Sequence, residues 1–150
     1  MNSESGILIL HSMIKKNIKC LDLSLNPLMS KKFYLELADT FDNQEFNLEE
    51  LHLEGNKMKD DFCEIICKKI SMKPSMKVLN LSHNCLTDKA APALVSVVNN
   101  CVNLAELHIA YNQIFSEGST LIANEIMENY SLKILDISFN SICGLKGKVA

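Results

Sequence analysis

The chain has 150 residues, of which 47% are apolar and 22% charged, so it is long enough to bury a core and has the composition of a folded protein rather than a disordered one. Its formal net charge of −3 argues against nucleic acid as the main partner, because nucleic-acid binding favours a basic surface. Every basic residue is a lysine and no apolar run approaches the roughly 20 residues that cross a bilayer, so arginine-finger chemistry and a membrane span are both excluded.

The phrase L-x-(L/I)-x-x-N returns five times along the chain and defines its predicted elements. The five copies begin at Leu21, Leu51, Leu79, Leu107 and Leu135, with gaps of 30, 28, 28 and 28 residues between them. Each copy also has an apolar residue three positions ahead of it and another two positions after its asparagine. These are Ile18, Leu48, Met76, Leu104 and Leu132 ahead, and Leu28, Met58, Leu86, Ile114 and Ile142 behind. The completed pattern, L-x-x-L-x-L-x-x-N-x-L, predicts five short strands joined by similar connections.

The residues ahead of the first copy are predicted to form the helix half of a repeat whose strand is missing. When the chain is aligned by its repeats, Ile7 and Leu8 match Leu121 and Ile122 in a later helix. The single domain 1–150 then consists of a half repeat at 4–17, repeats that start near 18, 48, 76 and 104, and an incomplete repeat at 132–150. Solenoids usually carry polar caps, and these ends have none. We therefore expect further repeats of a longer array, or a stacking partner, at the uncapped ends.

The third copy shows how the strand of one repeat is predicted to work. Within residues 78–82, Leu79 and Leu81 point into the core and the residues between them point outward, as the period of two in a strand requires. The amide of Asn84 is expected to pair with backbone groups of the turn that follows. Asn84 and Asn112 should be buried, and the equivalent asparagines should form a ladder along the stack: Asn26, Asn56, Asn84, Asn112 and Asn140.

A helix is predicted after each strand, because parallel strands need a crossover of a dozen or more residues. In the third repeat, Thr87 and Asp88 are candidate N-caps and Pro92 falls in the first turn, where a missing N–H costs least. Apolar residues at spacings of three and four mark the buried face of each helix. They are Phe33, Leu37 and Phe41, then Phe62, Ile65, Ile66 and Ile70, then Ala90, Ala93, Leu94, Val97 and Val98, then Leu121, Ile122 and Ile126. Two extra residues of the first repeat are placed in the loop 42–47.

The six cysteines are predicted to be free thiols that serve as small buried apolar residues. Cys63 and Cys67 are four apart on an apolar helical face, and Cys20 lies in a strand. No N-terminal stretch has the basic lead and cleavage site of a signal peptide, so we expect a cytoplasmic location, where thiols stay reduced.

The 28-residue period, the repeated phrase and the room for a full helix resemble the ribonuclease-inhibitor subclass of leucine-rich repeat proteins, over residues 4–142. The resemblance implies an α/β solenoid shaped as a right-handed horseshoe, with parallel strands on the concave face and helices on the convex face. The subclass includes ribonuclease inhibitor, the Ran GTPase-activating protein, sensor domains of NOD-like receptors, tropomodulin-type actin cappers, and ciliary and cytoskeletal repeat proteins. The resemblance therefore implies a scaffold for partners rather than one reaction.

Polar side chains on the predicted concave face are candidates for a chemical site. His52 and His108 are two strands apart, at roughly 10 Å, which is too far for one zinc ion at about 2.0–2.1 Å from each ligand nitrogen. No cysteine or carboxylate is expected to join them in tetrahedral spacing. His108 beside Asp136 has the geometry of a base with its orienting carboxylate, but no nucleophile lies within reach. We therefore predict no catalytic residue, no metal and no cofactor.

Aromatic residues in a solvent-facing column of the same face favour protein binding. Tyr111 and Phe139 follow their strands beside His83, and such anchors are typical of binding hot spots. The alternative is that a flanking segment covers them. The predicted protein-binding residues are His52, Glu54, His83, His108, Tyr111, Asp136 and Phe139.

These observations predict a non-enzymatic scaffold or adaptor, a subunit of a larger intracellular assembly of ciliary or cytoskeletal type. Its partner would be a protein on the concave face, with no role for nucleic acid or membrane. Two alternatives stay open. One is a GTPase-activating regulator similar to the Ran activator, and the other is a fragment of a NOD-like-receptor sensor domain.

Overall fold

A computed structural model describes residues 3–27 and 30–143 of the chain. Helices and short strands alternate along it. In chain order they are α1 (Ser3–Lys16), β1 (Cys20–Asp22), α2 (Lys31–Thr40), β2 (Glu50–His52), α3 (Asp60–Ile70), β3 (Val78–Asn80), a 3-10 turn (Asp88–Ala90), α4 (Ala91–Asn100), β4 (Glu106–His108), α5 (Ser116–Ile126) and β5 (Ile134–Asp136). Leu28 of the first copy and residues 144–150 of the incomplete repeat lie outside the described residues.

The strands form one parallel sheet whose order follows the chain, from β1 to β5. Each strand pairs with the next in the register of the repeat, so the first leucine of every copy lies beside its equivalent. The helices lie on the side of the core away from the sheet, and each packs against the helix of the next repeat. The predicted fold class, an α/β repeat solenoid with parallel strands on one face and helices on the other, is confirmed.

The core lies between the sheet and the helices and is built from equivalent positions of successive repeats. Leu51, Leu79 and Leu107 of the strands are fully buried, whereas Leu135 keeps 36% of its surface exposed because β5 is the edge strand of the described sheet. The helices contribute the faces predicted from their spacing, with one exception. Leu121 is 49% exposed.

The exception has a local cause in α5. Its buried positions are Gly118, Ser119 and Ile122, which places Leu121 about 100° around the helix from Ile122 and away from the core. A Cβ on Gly118 would lie 2.6 Å from a carboxylate oxygen of Asp88, so only glycine allows α5 to approach the preceding repeat this closely.

The asparagine ladder forms as predicted, and it satisfies backbone groups of two repeats at once. The Asn84 side-chain oxygen accepts hydrogen bonds from the backbone N–H groups of Asn56 and Met58, at 3.1 and 2.8 Å. Its amide nitrogen donates to three carbonyls, those of Leu53, Leu81 and Ser82. One repeat later, Asn112 accepts from the backbone N–H of Leu86 and donates to three equivalent carbonyls. Both side chains are buried, so these bonds link successive turns inside the molecule.

Carboxylates at the starts of the helical segments add a second link between repeats. Asp60 accepts from the backbone N–H and the hydroxyl of Thr87, 27 residues later. Asp88 repeats the pattern on the backbone of Phe115. Thr87 caps the 3-10 turn as predicted, by accepting from Lys89, whereas Asp88 lies inside that turn and reaches the following repeat instead.

The cysteines differ in burial, and Cys85 is half-buried. Cys63, Cys67 and Cys101 are buried, and burial raises the pKa of the Cys101 thiol to about 12. The prediction that Cys20 is buried is wrong. The period of two that turns Leu21 and Leu23 inward also turns Cys20 outward, and Cys143 is exposed too. All six are free thiols in the structure.

Among residues 3–27 and 30–143, no helix combines the length and the apolar character needed to cross a membrane.

Candidate functional site: the concave face and its aromatic rim

The outward side chains of the five strands form the surface that we call the concave face. One of its columns, the first residue of each strand, was not among the predicted site residues. Its members are Cys20, Glu50, Val78, Glu106 and Ile134. The period of two along a strand could have identified this column, because the residue before each inward leucine must face outward. The next column contains Asp22, His52, Asn80, His108 and Asp136, in register across the sheet.

The two strand histidines pair with glutamates of their own strands. The Nε2 atom of His108 lies 3.0 Å from Glu106 Oε2, and that of His52 lies 3.7 Å from Glu50 Oε2. The pairing considered between His108 and Asp136 is therefore not the one that forms. The carboxylate of Asp136 accepts instead from the hydroxyl and backbone N–H of Ser138, and these bonds hold its pKa below the ordinary value.

A stack of three rings forms one rim of this face, where each strand turns toward its asparagine. The rings of His83 and Tyr111 are 4.0 Å apart between centroids and inclined by 13°, and those of Tyr111 and Phe139 are 4.0 Å apart and inclined by 10°. The side chains remain accessible, at 43% for Tyr111 and 70% for Phe139. We call His83, Tyr111 and Phe139 the aromatic rim.

The backbone at the aromatic rim explains why the rings stack. His83, Tyr111 and Phe139 have φ of 54°, 53° and 51°, in the left-handed region that non-glycine residues rarely adopt. Hydrogen bonds hold them there, from His83 N–H to Ala110 O and from Tyr111 N–H to Ser138 O, both at 2.9 Å. Identical backbone at successive repeats places the rings one strand spacing apart, about 4.8 Å, and a slight tilt then brings them into contact.

At the other end of the same rim, the conformation is kept but the rings are absent. Leu25 and Gly55 occupy the equivalent positions, with φ of 59° and 68°. The Leu25 side chain lies over Gly55, so that a Cβ there would meet its Cδ2 atom at 2.6 Å. Beside the rings, a shallow depression of about 390 Å³ is floored by Asn84, Asn112 and Gln113.

The concave face carries negative charge. Five of its outward-facing side chains are carboxylates, and no lysine is found among its described residues. The carboxylates belong to Asp22, Glu50, Glu54, Glu106 and Asp136. Glu54 joins this face to the rim, because its carboxylate accepts from Asn80 Nδ2 at 3.1 Å and lies 3.9 Å from His83 Nε2. Lysines lie along the border where the strands begin, and there Glu49 pairs with Lys19 and Lys77.

One corner of the face gathers three different reactive side chains. The Cys20 sulfur, a carboxylate oxygen of Glu50 and a ring nitrogen of His52 all lie within 4.8 Å of one another. Partial desolvation of the sulfur, then the hydrogen bond and charge of Glu50, raise the pKa of the Cys20 thiol. Cysteine nucleophiles have a lowered pKa, so the shift at Cys20 is in the opposite direction.

Comparison with known proteins agrees with this architecture. A family model described as Leucine Rich repeat matches residues 73–95. Over 64 residues the chain is 34% identical to Protein NLRC5 of Homo sapiens, which is 43% of this chain but only 3% of that protein. Among solved structures, leiomodin-1 actin-binding site 2 superposes with a TM-score of 0.73 at 14% identity, covering 93% of this chain and 80% of that one. The tropomodulin C-terminal domain of Caenorhabditis elegans gives 0.68 at 22% identity, with 93% and 84% covered.

The chain therefore contains leucine-rich repeats and has the fold that they build. All the predicted site residues lie on one continuous surface of this solenoid. His52, His108 and Asp136 are on the strands, Glu54 lies just after one, and the aromatic rim borders them. The surface offers ring faces and carboxylates on a hydrogen-bonded frame.

Proposed function

We propose that this chain is a non-enzymatic scaffold that binds a protein partner through its concave face, with the aromatic rim as the main anchor. The observation that carries the proposal is the stack of His83, Tyr111 and Phe139. Residues in the left-handed region cost roughly 1–2 kcal/mol each when they are not glycine. Glycine would avoid that cost, as Gly55 does at the equivalent position. Leu25 and Gly55 show that the turn itself needs no ring, so three successive rings at such positions are best explained by binding.

The rim has the physical properties of a binding hot spot. Stacked rings present a large apolar surface and lose little entropy on binding, because their neighbours and the strand ladder already hold them. The adjacent carboxylates give the face a negative field, and Glu54 connects that field to the rings. This combination favours a partner segment that carries both lysine or arginine side chains and an apolar or aromatic residue.

Actin is the first partner to test, and a cytoskeletal assembly is the setting that we propose. One structural neighbour is described as an actin-binding site of leiomodin-1, and this chain shares its fold. The chain should be mixed with actin filaments and with actin monomers, and binding should be measured by co-sedimentation and by fluorescence anisotropy. If actin does not bind, affinity capture from cell extract with the same variants identifies the partner.

The decisive variant is Tyr111→Ala combined with Phe139→Ala. Hot-spot truncation should weaken partner binding by about 2 kcal/mol or more, which is roughly a 30-fold rise in Kd. The matched control is Tyr130→Ala, which removes an aromatic side chain that is 90% exposed and lies away from the rim. Lys68→Glu on helix α3 tests the convex side. Loss of binding in Lys68→Glu, with the double variant unaffected, would assign the interface to the helices and refute the proposal.

A further inference from the structure

The corner of the concave face between β1 and β2 has the donor set of a metal site. Cys20 contributes sulfur, His52 nitrogen and Glu50 oxygen, and these atoms lie within 4.8 Å of one another. The separation of His52 Nε2 from Glu50 Oε2 is already 3.7 Å. Ligand atoms that surround a tetrahedral zinc ion at about 2.0–2.3 Å are roughly 3.3–3.8 Å apart, so small side-chain rotations would complete the arrangement.

The strand ladder holds these donors in place without a ligand. Cys20 is paired in register with Glu50, and Asp22 with His52, so the four side chains form a square on two adjacent strands. Glu50 and His52 are two residues apart and therefore project from the same face. Cys20 is exposed and the other two are half-buried, so an ion reaches them from solvent. The carboxylate of Asp22 adds negative charge beside His52.

We propose that Cys20, Glu50 and His52 form a zinc-binding site. Thiolate, imidazole and carboxylate are the zinc ligands of proteins, whereas magnesium and calcium require oxygen ligands almost alone. On binding, the sulfur–zinc bond forms and the thiol proton is released to solvent. Three protein ligands leave the fourth position of the metal open to water or to a group from a partner. The site stands independently of the proposed role of the aromatic rim.

The chain contains its own control for this proposal. The Glu-x-His pair of β2 recurs on β4 as Glu106 and His108. The strand that precedes it has Val78 where β1 has Cys20, and Asn80 where β1 has Asp22. This second pair has no third donor beside it, and its two side chains contact each other, with His108 Nε2 3.0 Å from Glu106 Oε2. Among the described residues, only the first pair is part of a three-donor cluster.

The test uses cobalt(II) as a spectroscopic substitute for zinc, on the full chain under reducing conditions. All variants carry Cys143→Ser, which removes the other exposed thiol. We expect one equivalent of cobalt to produce a sulfur-to-cobalt charge-transfer band that zinc abolishes. Cys20→Val, which copies the residue at the equivalent position of β3, should eliminate the band. Residues that only hydrogen-bond to a metal ligand already contribute roughly 10- to 100-fold in affinity. His52→Gln removes a ligand itself, so it should raise the zinc Kd by at least about tenfold.

Two further variants make the result decisive. His108→Gln is the matched control and should leave zinc affinity unchanged. Val78→Cys with Asn80→Asp transplants the missing donors beside Glu106 and His108, and should raise the stoichiometry from one ion to two. A thiolate band that survives Cys20→Val, or an equal effect of His52→Gln and His108→Gln, would overturn the proposal. If Cys20→Val fails to fold by circular dichroism, the His52→Gln comparison and the transplanted site still decide.

Discussion

Two ladders run side by side through this molecule, one residue apart in the sequence and opposite in their surroundings. One consists of the side chains that follow the strands, and the other of the asparagines that come next. The adjacent pairs are His83 and Asn84, Tyr111 and Asn112, and Phe139 and Asn140. Asn84 and Asn112 are buried and tie turn to turn, whereas the rings stack on the surface and leave their outer faces to solvent.

The contrast shows how one backbone conformation separates stability from recognition. The positive φ of the ring residue turns its side chain out of the solenoid and sends the next side chain in. The inner ladder then carries the hydrogen bonds that the turns cannot make for themselves. The outer ladder is free to vary, since Leu25 and Gly55 occupy it without altering the turn. Variants of the two ladders should therefore fail in different assays.

The largest effect is expected from Asn84→Leu in the inner ladder. The change leaves the buried N–H groups of Asn56 and Met58 without acceptors. An unsatisfied buried group costs about 1–3 kcal/mol, so the free energy of unfolding should fall by about 3 kcal/mol or more, measured by urea denaturation. The same substitution at Asn99, which is exposed on helix α4, is the control. A loss below about 0.5 kcal/mol would show that the inner ladder does not hold the turns.

The rings should matter much less to stability than the asparagines beside them. Tyr111→Ala with Phe139→Ala removes stacking that is worth about 0.5–1.5 kcal/mol per pair, from side chains that stay 43% and 70% exposed. We expect unfolding free energy to fall by about 1–2 kcal/mol, with the circular dichroism spectrum unchanged. A loss as large as that of Asn84→Leu would mean that the outer ladder is structural and would remove the distinction.

Replacing Tyr111 by glycine and by alanine separates the cost of the backbone from the value of the ring. Both changes remove the stacking, but only glycine adopts a φ of 53° without strain. Tyr111→Gly should therefore be more stable than Tyr111→Ala by about 1 kcal/mol in thermal or urea melts, although glycine usually destabilises a chain. The opposite order would contradict the left-handed conformation on which the rim argument depends.

The smallest effect is expected from a link between repeats that lies outside both ladders. Lys69 pairs with Asp42 of the preceding repeat at 2.5 Å, but these side chains are 32% and 61% exposed. Exposed ion pairs contribute about 0.2–1 kcal/mol, so Lys69→Met should change the free energy of unfolding by about 0.5 kcal/mol, and less at high salt. A large effect would indicate that any bridge between repeats stabilises the stack, whether or not it is buried.

Much of the architecture could be predicted from repetition alone. The repeated phrase places Leu51 and Leu79 in the core and Asn84 and Asn112 in the buried turns, where the structure has them. Two predictions were wrong because they used the apolar character of a residue and not the direction in which its side chain points. Cys20 was predicted to be buried although its strand position faces outward, and Leu121 was assigned to a helical face that Ile122 occupies.

The sequence by itself determined the period, the parallel register and the inner ladder, because each depends on the same residue recurring at the same place. Only the tertiary structure decided which outward side chains touch. The stacking of His83 on Tyr111 depends on a left-handed φ that no local residue preference demands. The meeting of Cys20 with Glu50 and His52 depends on strand pairing across 30 residues. Contacts of this kind join unlike residues of different repeats, so they become visible only when the strands are placed side by side.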